Sequence, residues 1–186
     1  MTLREQTLAS AEHDAQARVN DVEKALAKVP LFRPLAGPLL HELALHTERR
    51  LYAPAEIVIQ QGDYGEELFV VERGAAEVLV DSHAGLEHVA SLGPSDFFGE
   101  MSLMTGERRR ATVRADAELA LLVVSKEALS PLLEASPELA VAIGEQLASR
   151  DEDLGRHTHA AESPCADAAK DKRGEMLERI RQFFSL

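Results

Sequence analysis

The chain has 186 residues, 32 of them acidic and 20 basic, for a formal net charge of −12. That balance excludes nucleic acid as a main partner, because contact with a phosphate backbone needs a basic face. The length suits one domain with helical extensions, and the longest apolar run, Leu119 to Val124, is far too short to span a membrane.

No charged-then-apolar secretory start is present. The single cysteine, Cys165, has no internal partner for a disulfide. A cytoplasmic, reducing setting is therefore expected, or the cytosolic face of a membrane if the chain is part of a channel.

Residues 1–29 read as helix: rich in Ala, Glu, Gln and Lys, and free of Gly and Pro. Val19, Val22, Leu26 and Val29 recur at helical spacing and give its second half one apolar face. Pro30 ends it. The turn Val29 to Leu35 carries large apolar residues, and a second helix is expected from Pro38, with Leu39, Leu40 and Leu43 on one face.

From Glu48 to Ser125 the apolar period becomes two. Strands are expected at 49–52, 57–59, 68–71, 76–80, 87–92, 110–115 and 119–124. The punctuation is Gly62-Asp63, Gly74, a hairpin tip at Ser82 to Gly85, and Gly93-Pro94. Short strands with a turn every eight to twelve residues predict a closed antiparallel roll or jelly roll, within an α+β chain.

Helical spacing returns after Ser125, which caps a helix bearing Leu129, Leu132 and Leu133. Pro131 marks a kink in it or a new first turn. Ser136-Pro137-Glu138 opens another helix, striped by Leu139, Ile143, Leu147 and Leu154. Residues 156–174 read as a flexible linker. The chain ends in a short amphipathic helix, 175–186, with Met176, Leu177, Ile180, Phe183 and Phe184 on its apolar stripe. A helix this short needs a partner surface, on this domain or on another protein.

The chemistry concentrates between Phe97 and Ala115, FFGEMSLMTGERRRATVRA. Gly99 allows a sharp bend or the close approach of a ligand. Free amides of a short helix starting at Glu100 suit an anion, and a neighbouring arginine can grip the same anion with two hydrogen bonds. Glu100 only accepts hydrogen bonds when ionised, so it repels phosphate oxygens and attracts hydroxyls. The combination suits a phosphate and a free hydroxyl side by side. A 3′,5′-cyclic ribose phosphate with a free 2′-hydroxyl has that arrangement.

This run resembles the phosphate-binding cassette of the cyclic nucleotide-binding domain family, whose pattern is F-G-E-[LM]-[AS]-L, a spacer, then P-R-[AST]-A-T-V. Phe98 to Leu103 match in order, and alignment on Ala111-Thr112-Val113 puts the phosphate-binding arginine at Arg109. Arg108 replaces the family's proline and Arg110 its small residue. The entry into the second helix and the turn Gln60 to Asp63 also resemble the family, so the likeness covers about residues 29–155.

The resemblance implies N-terminal helices (1–47), a β-roll with the cassette (48–125) and lid helices (126–155) that close on the nucleotide base. It implies a ligand site formed by Phe98, Gly99, Glu100, Met101, Ser102, Arg109, Arg110 and Thr112. The expected ligand is cyclic AMP rather than cyclic GMP, because members that prefer cyclic GMP often carry threonine where Arg110 stands. The role implied is that of a regulatory domain, not an enzyme, with no cofactor beyond this ligand. It would move a C-terminal helix and control a channel or another effector. The ending is similar to that of some bacterial mechanosensitive-type channels. Partners expected are the cyclic nucleotide and a parent channel or a second copy, with neither nucleic acid nor membrane insertion. The alternative is a ligand-free structural or oligomerisation module on the same fold.

Other chemistry has little support. His157, His159 and Cys165 lack a fourth ligand at structural-zinc spacing, so no metal site is expected. His83 and His88 flank a hairpin rather than cluster on strands as a cupin enzyme requires. No serine-hydrolase arrangement or phosphate loop is visible.

Overall fold

Strand β8, Leu119–Ser125, is apolar on both faces because both of its faces are covered. In the computed structural model, which describes residues 3–82, 85–136, 138–145, 147 and 166–184, β8 pairs with β1 (Glu48–Tyr52) and β3 (Glu67–Arg73). The short β6 (Phe97–Phe98) completes an antiparallel sheet in the order β1-β8-β3-β6. A second antiparallel sheet runs β2-β7-β4-β5, from β2 (Ile57–Ile59), β7 (Thr112–Ala115), β4 (Ala76–Ser82) and β5 (Gly85–Leu92).

Successive side chains on a strand point to opposite faces. On β3 and β8, Phe69, Val71, Leu121 and Val123 enter the core between the two sheets, with Val113 and Ala115 of β7. Their neighbours Leu68, Val70, Leu122 and Val124 face a second core built with the helices. A strand buried on both sides reads as an unbroken apolar run, which is why Leu119 to Val124 shows no alternation.

The helical layer starts with α1 (Leu3–Leu26), which presents Val22 and Leu26 to that second core, followed by a 3-10 turn (Pro30–Phe32) and α2 (Gly37–Leu45). The helix expected to reach residue 29 stops at Leu26, and Val29 to Phe32 form the turn instead. The short α3 (Glu100–Thr105) follows β6. Helix α4 (Lys126–Ala135) is capped by the Ser125 side chain, which accepts from the Ala128 N–H, and Pro131 lies within it rather than opening a new helix. Helix α5 covers the described residues 138–145 and 147, with Leu139, Ile143 and Leu147 buried.

The last helix, α6, spans Ala166–Phe184, so part of the stretch expected as a linker is helical. Its partner surface is on this domain: Met176, Ile180 and Phe184 are buried in the helical core, and the helix packs on α3. Pro137, Leu154, His157, His159, Cys165, the hairpin tip at 83–84 and the end of the expected lid, 148–155, lie outside the described residues. No helix among the described residues is long and apolar enough to cross a membrane.

Candidate functional site

The site is built where β6 ends. Gly99 takes φ +81°, the left-handed region that a side chain disfavours, and turns the chain into α3. The first intrahelical bond runs from the Leu103 N–H to the Gly99 carbonyl at 3.2 Å. The amides of Glu100, Met101 and Ser102 therefore precede the helical ladder. All three residues are buried, with Glu100 only 5% exposed. Phe98, just ahead, stacks on Phe69 with ring centroids 5.0 Å apart.

Arg109 comes from the strap between α3 and β7 and is only 4% exposed. Its guanidinium donates to two backbone carbonyls, Nη1 to Gly99 at 2.8 Å and Nη2 to Glu67 at 2.9 Å. It also lies over the Phe69 ring, 5.7 Å from the centroid. Burial pushes its pKa down from the usual arginine value, while the nearby charges of Glu67 and Glu100 act the other way. No carboxylate of the described residues makes an ion pair with it. Burying a cation is costly unless acceptors and nearby charges offset it, and here the carbonyls of Gly99 and Glu67 and the fields of Glu67 and Glu100 do so.

The loop between β2 and β3 holds Arg109 from the other side. The Arg109 N–H donates to the Asp63 carbonyl at 2.7 Å, and the Gly62 N–H donates to the Arg109 carbonyl at 2.8 Å. The Gln61 N–H donates to Thr112 Oγ1 at 3.0 Å. Thr112 thus spends its hydroxyl on pinning this loop, and Val113 packs in the core.

Arg110 departs from the others. Its side chain is exposed and ion-paired with Glu107 at 3.0 Å, and Arg179 of α6 pairs with the same carboxylate. Burial alone would raise the Glu107 pKa, but hydrogen bonds from Arg179 and Arg110 outweigh it and the pKa lies below its ordinary value. Arg108, in the proline's place, donates to the Gly62 carbonyl at 2.8 Å and lies 4.0 Å from the centre of the Tyr64 ring.

Beside Arg109 opens a cavity of about 560 Å³ lined by Tyr64, Gly65, Glu66, Glu67, Gly106 and Phe183. Lys126 contacts two of these lining residues, with Nζ 3.4 Å from the centre of the Phe183 ring and 3.7 Å from a Glu66 oxygen. Among the described residues no cluster of three or more metal-ligating side chains occurs.

Of the residues expected from sequence, Gly99 and Arg109 are in direct contact. Glu100, Met101 and Ser102 share α3 beside them, Phe98 lies below on β6, and Thr112 and Arg110 stand at the margin. The sequence reading missed Gly65, Glu67, Glu107 and Arg179. The Gln60 to Asp63 turn marked the loop, but nothing local said that it folds against a residue more than forty positions on.

The chain is thus an antiparallel two-sheet roll with a short helical cassette beside one buried arginine. Residues 49–136 match the cyclic nucleotide-binding domain family, and over that span the chain carries a domain of that family. The chain is 36% identical over 112 residues to a cAMP-dependent protein kinase regulatory subunit of Blastocladiella emersonii, covering 60% of this chain and 28% of that protein. It is 33% identical over 118 residues to a cyclic nucleotide-gated potassium channel of Rhizobium etli, covering 63% of this chain and 32% of the channel. The chain thus spans about a third or less of these relatives. The regulatory domain of Toxoplasma gondii PKA, solved with cAMP, superposes with a TM-score of 0.67 at 17% identity, covering 76% of this chain and 52% of that one.

Proposed function

We propose that this chain is a cyclic nucleotide receptor, with cyclic AMP preferred, that passes ligand occupancy to a C-terminal helix and through it to an effector such as a channel. The observation that carries the reading is Arg109: buried, held by two backbone carbonyls, one of them that of Gly99, which opens α3. A cyclic phosphate would take the Arg109 guanidinium as its cationic partner, and the amides at the start of α3 would add donors. Glu100, buried beside it, would accept the ribose 2′-hydroxyl.

Arg110 supports cyclic AMP, because it stands where a small hydroxyl residue is expected for guanine and is turned outward to Glu107. The helix coupling is supported by α6, which packs on the same short helix whose first turn faces the anion site. Ligand that favours one arrangement of α3 would shift the population of docked α6.

Calorimetric titration with cyclic AMP and cyclic GMP, with Arg109→Ala alongside, tests this. The expected result is cyclic AMP binding on the order of micromolar or tighter (about −8 kcal/mol), weaker cyclic GMP binding, and loss of both in the variant. No heat from either nucleotide would leave the ligand-free module as the reading.

A further inference from the structure

The glycine at position 65 stands out because its backbone does not need it. Gly62, Gly74, Gly99 and Gly106 all have positive φ, but Gly65 lies outside the left-handed region. Its φ by itself does not call for glycine. What forbids a side chain there is space. A Cβ built on Gly65 would lie 2.4 Å from Arg109 Nη2, 2.6 Å from Nε and 2.7 Å from Cζ. The Nη2–Cζ–Nε edge of the guanidinium lies against the bare Cα.

Gly99 abuts the remaining nitrogen, where a Cβ would meet Arg109 Nη1 at 2.6 Å. The guanidinium therefore occupies a slot between two glycines. We propose that Gly65 is a positioning residue for the anion-binding cation: its missing side chain lets Arg109 reach the carbonyls of Glu67 and Gly99. This rests on the reading of Arg109 as the phosphate ligand.

The loop cannot relieve a clash by swinging outward. Residues 61–66 are pinned by backbone groups on three sides: Gln61 to Thr112, Gly62 and Asp63 to Arg109, and the Glu66 carbonyl to the Lys126 N–H at 3.0 Å. The movable party is the far end of Arg109. An added methyl group at position 65 would push the guanidinium out of its slot and break its bonds to the two carbonyls. The backbone and the cores would stay as they are. Gly65→Ala should therefore behave as a binding defect with little loss of fold.

The test combines titration with an unfolding cycle. Wild type, Gly65→Ala and Gly93→Ala are titrated with cyclic AMP. Gly93 has open space around its Cα and no positive φ, so it serves as the control. Gly65→Ala should weaken binding on the order of tenfold or more, as expected when a buried charge is misplaced, while Gly93→Ala binds like wild type. In parallel, Gly65→Ala is made in wild type and in Arg109→Ala, and thermal unfolding is followed. A small loss of midpoint in wild type should vanish in Arg109→Ala, because the atoms it strikes are gone.

Wild-type binding by Gly65→Ala, or an equal midpoint loss in both backgrounds, would overturn the proposal. If wild type itself binds no nucleotide, the receptor reading fails, and the unfolding cycle still decides whether Gly65 acts through Arg109.

Discussion

The Phe183 ring lies directly against Gly106: a Cβ on that glycine would fall 2.6 Å from Phe183 Cε2. Gly106 also ends α3 in the left-handed region, φ +72°. The helix that carries the cassette thus closes with the residue that receives the terminal helix. Lys126 Nζ lies 3.4 Å from the centre of the Phe183 ring, and Phe184 meets it edge-on at 5.6 Å.

Phe183→Ala should loosen α6 without unfolding the roll. Phe183 is only partly buried, so the loss should be about 1–2 kcal/mol, below the ~3–5 of a fully enclosed phenylalanine. Hydrogen exchange should rise in residues 174–184 and stay unchanged in β3 and β8. Equal protection in both regions, before and after, would mean that the ring contributes nothing to docking.

Glu107 ties α6 to the strap through Arg179 and Arg110, and its pKa is depressed in the folded chain. A depressed carboxylate adds stability above its ordinary value of 4.5, and that contribution is lost as pH falls below it through the folded value. Glu107→Gln should lower stability at neutral pH by up to about 1 kcal/mol, the scale of a solvent-accessible pair. The difference from wild type should shrink as pH drops below 4.5. Unfolding curves at neutral and acid pH check this, and a constant difference would contradict it.

Glu100 should matter to the sugar and not to the phosphate. With Glu100→Ala, cyclic AMP affinity should fall about tenfold, near the value of one hydrogen bond to a charged group. The 2′-deoxy analogue should bind wild type and variant alike. Equal losses for both nucleotides would remove the hydroxyl role from Glu100.

Phe98 links core and site, since it stacks on Phe69 and Phe69 lies under Arg109. Phe98→Ala should destabilise by about 3–5 kcal/mol. Phe98→Leu, which keeps most of the volume, should cost under about 1.5 kcal/mol. Denaturant melts of the two variants distinguish a packing role from a purely local one.

Much of this architecture is legible in the residues themselves. Alternation with turn punctuation marks the strands, and helical stripes mark α1, α2 and α4, because side-chain period follows directly from backbone geometry. The turn at Gly99, the short helix after it and the strap to Arg109 are legible too, because they are close in the chain. Element ends are less so: β7 starts at Thr112, two residues later than the alternation suggests.

Tertiary structure alone decided which groups surround Arg109 and what the terminal helix covers. Gly65 looks like an ordinary loop glycine until Arg109, from a strap distant in the chain, fills the space beside it. Glu107 and Arg179 are 72 residues apart and read as unrelated surface charges. An amphipathic helix states that it needs a partner but not which one. Local periodicity and motif spacing are written in neighbouring residues, whereas a slot, an ion pair or a docked face depends on closing long loops whose geometry no short stretch encodes.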